Sequence, residues 1–313
     1  MSIPIFTDPE QAADLLRSGA LVAFGTETVY GLGADARSDE AVAKIYSAKS
    51  RPMFNPLIAH VATLSAAEAL IDLGAQGRAL AETFWPGPLT LVGPLRDPEA
   101  VSGLVTAGLP TLAVRIPDNA MALKLLELVD APVAAPSANP SGKLSPTTAM
   151  HVAQELGPEV AGVLDTGPCT VGLESTIISL EGAPTLLRHG GLPNEALEEV
   201  LGHALQTLEK AQTITAPGQL ASHYAPRAGI RLNAMTAQPG EAHLGFGEVE
   251  GDLNLSPDAD LTQAAKALFE ALRRLDITGA GVIAVAPIPQ IGLGRAINDR
   301  LQRAAAPRPD SLG

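Results

Sequence analysis

Short apolar runs alternate with helical patterns from the start of the chain. Ala20–Phe24 is apolar throughout and of strand length, and Leu57–Val61, Thr111–Ile116, Pro132–Ala135, Val163–Asp165 and Ser175–Leu180 repeat that form. Helical segments separate several of them. Ser38 stands before Asp39 and Glu40, a side-chain cap followed by negative charge where the helix dipole favours it, which predicts a helix running to Lys49. Ser65 with Glu68 three residues on has the form of a capping box. Asn119–Val129 and Thr147–Leu156 read as two more helices. Alternation of this kind predicts an α/β domain around a sheet. The irregular stretch Trp85–Leu109 and the close spacing of the last strands, ending with Pro184–Leu187, predict mixed rather than wholly parallel pairing.

Asn194 is placed to cap a last helix of this domain, running to about Lys210. Ala211–Arg227 is polar and turn-rich, with Pro217, Gly218 and Pro226, and reads as a linker. A smaller α/β unit follows, with strands near Ile230–Leu232, Ala242–Phe246 and Gly281–Ala286, a long helix Asp260–Leu275, and a helix after Gly294.

The 313 residues suffice for two domains of ~150 residues each, and 46% apolar content excludes a disordered chain. No apolar run approaches the ~20 residues that span a bilayer. Acidic residues precede the first basic one, Arg17, so the protein is expected to be cytoplasmic. Cys169 stands alone, which excludes an internal disulfide framework or a multi-cysteine zinc site. The net charge is −13, and residues 1–205 hold 11 basic against 23 acidic side chains. That argues against a broad nucleic-acid footprint and makes the few cations there informative.

Several of those cations fall in polar, turn-rich segments. Gly25–Gly33 follows a strand and combines three glycines with Thr26, Glu27, Thr28 and Tyr30, which fits either a ligand loop or a decorated turn. Lys49 and Arg51 flank a proline-broken loop containing Asn55, with His60 in the next strand; they could hold phosphate or simply end a helix. Arg115 shares a strand face with Thr111 and Ala113 and needs an acidic ligand or a buried carboxylate there. Ala135–Ser145 is rich in hydroxyls and carries Asn139 and Lys143, while Glu174, Ser175 and Thr176 enter another strand ahead of Arg188. A zinc helix, a Cys-x-x-Cys pair and a nucleophile elbow are all missing, and Cys169 has no activating base nearby in sequence. Such a chain suits the positioning of anionic substrates for phosphoryl or adenylyl transfer rather than covalent catalysis.

Taken in order, TETVYGLG, K-S-R-x-x-x-NPL-x-x-H, T-x-A-V-R-I-P, PSAN-x-SG and ESTI resemble the threonylcarbamoyl-AMP synthase family with its YrdC-type catalytic domain, over nearly all of residues 5–200. Pro217-Gly218, His223-Tyr224-Ala225-Pro226 and Gly292–Arg300 resemble its long two-domain form. The resemblance implies a YrdC-like catalytic domain (1–210) around a twisted mixed sheet, a linker and lid (211–228), and a small C-terminal α/β, Rossmann-like domain (229–313). It implies synthesis of threonylcarbamoyl-AMP and pyrophosphate from L-threonine, bicarbonate and ATP, with Mg2+ on the ATP and no protein metal site. The product would pass to the transferase machinery that modifies tRNA, and the acidic first domain makes stable tRNA binding unexpected.

By motif, Thr28, His60, Arg115 and Ser175 should hold threonine. Arg51, Asn55, Thr111, Ser137, Ser145, Arg188 and Tyr224 should hold ATP, with Lys49 and Arg51 acting at the phosphates. Gly25 stands where members often have proline, and Ala135 where some carry a hydroxyl that contacts threonine. Two other readings stand beside this one: a carbamoyl-adenylate-forming enzyme, and a non-catalytic RNA-binding module. Gly292–Arg300 is compatible with an anion site or a plain strand–helix turn.

Overall fold

The computed structural model describes residues 3–207 and 223–307. Residues 211–222 of the expected linker, Pro217 and Gly218 among them, lie outside that range. Among the described residues one eleven-stranded sheet organises the first domain. Its order is Ile5–Phe6, Val160–Leu164, Leu21–Gly25, Tyr30–Asp35, Val133–Ala134, Ile58–His60, Thr111–Arg115, Leu89–Pro94, Thr176–Ser179, Thr185–Arg188 and Gln206–Thr207. Pairing is mixed, as expected: Ile58–His60 runs parallel to Thr111–Arg115, whereas Leu89–Pro94 runs antiparallel to it. The central strands read as continuous apolar runs because both faces are buried.

The helix Asp39–Lys49 begins where expected, with the Ser38 side chain accepting from the Ala41 N–H. It ends at Ser50, whose left-handed conformation (φ 49°) turns the Arg51 loop away from the helix axis. Two sequence expectations fail. Thr63, not Ser65, caps the helix Leu64–Leu70 by accepting from the Ala66 N–H, so the apparent capping box lies two residues too late. Asn194 is the first residue of its helix rather than the cap, and that helix closes at Leu201 on Gly202 in the left-handed region. Lys210, its expected end, lies outside the described residues.

The second domain carries a four-stranded, wholly parallel sheet, in the order Gly229–Arg231, Val282–Val285, Glu241–Gly245 and Leu253–Asn254. The helices Leu261–Asp276 and Gly294–Ala305 accompany it. Its core does not close on itself. Val29, Leu144 and Leu173 of the first domain belong to the same buried cluster as Leu268, Phe269 and Ile297 of the second. Ion pairs cross the same boundary, Arg273 to Glu155 and Arg295 to Glu195.

Candidate active site

Strand register assembles the site. His60 and Arg115 are register partners at the ends of adjacent parallel strands, so two residues 55 apart in sequence lie side by side. The loop after Leu21–Gly25 brings Thr26, Glu27 and Thr28 over them. Arg115 donates to Thr28 Oγ1 at 2.8 Å, to Glu27 Oε1 at 2.6 Å and to the Gly87 carbonyl at 3.2 Å. Arg115 and Glu27 are both buried. The buried carboxylate that the arginine needs is therefore Glu27, whose other oxygen takes the Asp118 N–H.

A narrow cavity of about 50 Å³ opens beside this pair. Thr28, Arg51, His60, Arg115, Ser137, Ser175, Arg188 and Tyr224, eight of the predicted residues, line it, joined by Ala135, Glu174 and His223. Gly25 is fitted to its place. A Cβ there would meet Thr166 Oγ1 at 2.1 Å and the Tyr30 ring at 2.7 Å, so the glycine admits the tyrosine rather than merely loosening a turn.

Lys49, Asn55, Thr111 and Ser145 do not line the cavity. Lys49 is buried and donates its ammonium protons to the Ser137 and Asn139 carbonyls, stapling the 137–145 loop. Burial, with Arg51 nearby, holds its pKa well below the usual lysine range. Asn55 is fully buried, and neither side-chain atom has a partner among the described residues. Thr111 sits at the far end of its strand, about 13 Å from Arg115 at ~3.3 Å per residue. Ser145 donates to Glu174.

Arg51 bends back on its own loop, donating to the Asn55 and Pro56 carbonyls. Burial lowers its pKa to about 10, which still leaves the guanidinium charged at neutral pH. Arg188 donates to the Ser175 carbonyl and hydroxyl, and that hydroxyl also meets Thr90 at 2.7 Å. Burial pushes the His60 and His223 pKa values down to about 3, so both imidazoles are neutral. Cys169 is buried with its thiol pushed up to about 12, in keeping with an inert group.

Sequence reasoning names Glu27, Glu174, His223 and Arg300 within its motifs but gives none of them a role of its own. Arg300 is the most informative miss. It is fully buried, donates from Nε to Glu174 Oε2 at 2.7 Å, and lies 5.0 Å from the Tyr224 ring centroid. Its signal was present: it falls between Ala296 and Ala304, next to Ile297 and Leu301, on the apolar stripe of its helix.

Comparison with known proteins agrees with this geometry. A family model described as "Telomere recombination", covering Sua5, YciO and YrdC proteins, matches residues 14–190. A second, described as the C-terminal domain of threonylcarbamoyl-AMP synthase, matches residues 192–306. The threonylcarbamoyl-AMP synthase of Pyrococcus abyssi is 42% identical over 95% of this chain and 94% of its own length. That of Bacillus subtilis is 41% identical over 96% and 94%. The crystal structure of P. abyssi Sua5 complexed with L-threonine superposes with a TM-score of 0.89, at 38% identity, over 97% of this chain and 98% of that one.

Proposed function

Because the chain belongs to the threonylcarbamoyl-AMP synthase family, we propose that its cavity joins L-threonine, bicarbonate and ATP into threonylcarbamoyl-AMP and pyrophosphate. One observation carries the reading: three guanidinium groups, of Arg51, Arg115 and Arg188, line one cavity together with neutral His60 and the hydroxyls of Thr28, Ser137 and Ser175. Clustered guanidinium groups bind carboxylate and phosphate oxygens through charge-assisted hydrogen bonds, so the lining suits anions. The three substrates bring them, as the threonine carboxylate, the carbamate and the triphosphate.

Arg115 takes the threonine carboxylate, oriented by Glu27, with Thr28, His60 and Ser175 around the rest of the amino acid. Neutral His60 can accept or donate without adding charge. The threonine amine and bicarbonate condense to a carbamate with loss of water. A carbamate oxygen then forms the new bond to the α-phosphorus as the bond to the β-phosphate oxygen breaks, and pyrophosphate leaves with the electron pair. No enzyme nucleophile is required. Arg51 and Arg188 stabilise charge on the transferring phosphoryl group, each charge-assisted hydrogen bond worth ~1.5–3 kcal/mol. Ser137 and Tyr224 complete the nucleotide's surroundings. Lys49, Asn55, Thr111 and Ser145 serve from behind, Lys49 by fixing the 137–145 loop.

Mg2+ fits this site as a companion of ATP, held by phosphate oxygens and water. Among the described residues no cluster of three or more His, Cys, Asp or Glu side chains offers it a protein cage, and Glu174 is committed to Arg300. A bound nucleotide needs a pocket of roughly 300 Å³ or more, far beyond the present cavity. His223 and Tyr224 wall the cavity and are buried. ATP entry therefore requires them to withdraw, which makes their segment a lid. The adenylate would then pass to tRNA-modifying transferase machinery.

The test is pyrophosphate release from ATP, Mg2+ and bicarbonate, with and without L-threonine. Release that requires both threonine and bicarbonate is expected. Release without threonine would assign a carbamoyl-adenylate activity instead, and no release under any condition would overturn the enzyme reading.

A further inference from the structure

Arg300 starts in one domain and ends in the other. Its helix, Gly294–Ala305, belongs to the C-terminal domain, yet its guanidinium lies against the wall of the catalytic cavity. Nε donates to Glu174 Oε2, while Nη1 donates to Asp299 Oδ2 at 2.6 Å and to the His189 carbonyl at 2.9 Å. Nη2 is buried and has no partner among the described residues. The guanidinium also stands over the ring of Tyr224, a contact of the cation–π kind.

Glu174 is the counterpart. It is buried, it is the one carboxylate lining the cavity among the described residues, and its second oxygen accepts from Ser145. Left alone, its charge would face an incoming triphosphate across a water-poor space and repel it. It would also draw on Arg188, a cation the nucleotide needs. We propose that Arg300 is a positioning residue for ATP: it neutralises Glu174 from across the domain boundary, and so the C-terminal domain sets the nucleotide affinity of a site built in the other domain.

This rests on the function proposed above, and the two can fail separately. Burial works against the charge on Arg300, but Tyr224, Glu174 and Asp299 outweigh it and raise its pKa, while Arg300 and Arg188 hold Glu174 below the usual glutamate range against its burial, so both partners are charged at neutral pH. Charge then dictates opposite signs for two substitutions. Arg300→Ala unmasks Glu174 and should raise the KM for ATP on the order of 10–100-fold, in line with coupling between close buried charges. Glu174→Gln removes the repelling charge and should lower it. The double variant Arg300→Ala/Glu174→Gln should bring the KM for ATP back to within about threefold of the starting enzyme, because removing both charges restores the neutrality of the pair, the coupling expected of residues in contact. The KM for threonine should move little in all three.

These constants would be measured by pyrophosphate release from the full-length protein, with circular dichroism confirming each fold. An Arg300→Ala enzyme that folds with an unchanged KM for ATP overturns the proposal. So does a double variant as impaired as the single one, because lost packing would then explain the defect. Should Arg300→Ala fail to fold, Glu174→Gln decides alone, and an unchanged or raised KM for ATP rejects the proposal. Absence of turnover in the unsubstituted protein would instead reject the functional reading on which it stands.

Discussion

At the residue scale, the site is a set of buried charges whose partners matter as much as their targets. Arg115 illustrates the point. Sequence alone leaves open whether Arg115 meets an acidic ligand or a buried carboxylate, and the structure supplies the carboxylate, so that Arg115→Ala strands Glu27. Breaking one half of a buried pair costs about 3–5 kcal/mol, so Arg115→Ala should lose both turnover and stability. Arg115→Ala/Glu27→Gln should recover much of the stability and none of the activity, checked by urea unfolding beside pyrophosphate release. Arg51 differs, since its partners are carbonyls of its own loop. Arg51→Ala should lose most turnover with the unfolding midpoint nearly unchanged; turnover near that of the parent would remove Arg51 from the mechanism.

The buried histidines give a second test at this scale. With folded pKa values of about 3 against an ordinary 6.5, His60 and His223 stay neutral in the fold while the unfolded chain takes up protons. Stability is therefore independent of them above about pH 6.5 and is lost as pH falls from there towards 3. Each contributes a slope of about 1.4 kcal/mol per pH unit. His223→Gln should remove most of that from the slope measured by urea unfolding between pH 6 and 5. Glu174, whose pKa burial raises but Arg300 and Arg188 bring down overall, loses its contribution only below the ordinary glutamate range. It does not intrude on this window. An unchanged slope in the variant would mean that His223 titrates normally in the fold.

At the element scale, what could be read from sequence was what local chemistry decides. The Ser38 cap, the helices begun by Asn119 and Asp260 and most of the apolar strand runs appear within a few residues of where the pattern placed them. Misplacements arise where two local signals compete: Thr63 and Ser65 are both good caps, and Thr63 is the one whose side chain accepts from the Ala66 N–H. The strand order and the register of His60 against Arg115 could not be read, because pairing is set by which apolar faces meet. Lys49 shows the same limit within a site. A lysine beside an arginine in a polar loop suggests phosphate, yet its ammonium is spent on two carbonyls of the 137–145 loop. Lys49→Met should thus loosen that loop before anything else. Hydrogen exchange should quicken at the Ser141 amide, which bonds the Lys49 carbonyl at 2.8 Å, and the KM for ATP should rise more than kcat falls. A large fall in kcat with exchange unchanged would return Lys49 to the phosphates.

At the scale of the whole molecule, the second domain is fastened to the first by three kinds of contact at once. Apolar packing joins Val29, Leu144 and Leu173 to its core. Partly exposed pairs, Arg295 with Glu195 and His151 with Glu270, add little by themselves. The buried pair Arg300–Glu174 costs desolvation on both sides that opening would relieve, so it fixes which groups meet while the apolar packing carries most of the attachment. Opening the boundary would expose apolar surface and separate those charges in the same event. The full chain should then unfold in a single calorimetric transition, with calorimetric and van't Hoff enthalpies in agreement. Two resolved transitions would mean that the domains melt independently. In that case turnover should vanish at the lower one, because Tyr224 and the Arg300 contact would leave together. Deleting residues 212–313 imposes the same loss at low temperature. It should abolish ATP-dependent turnover and leave Leu173, now fully buried, facing water; an intact rate in the isolated first domain would reduce the second to a tether.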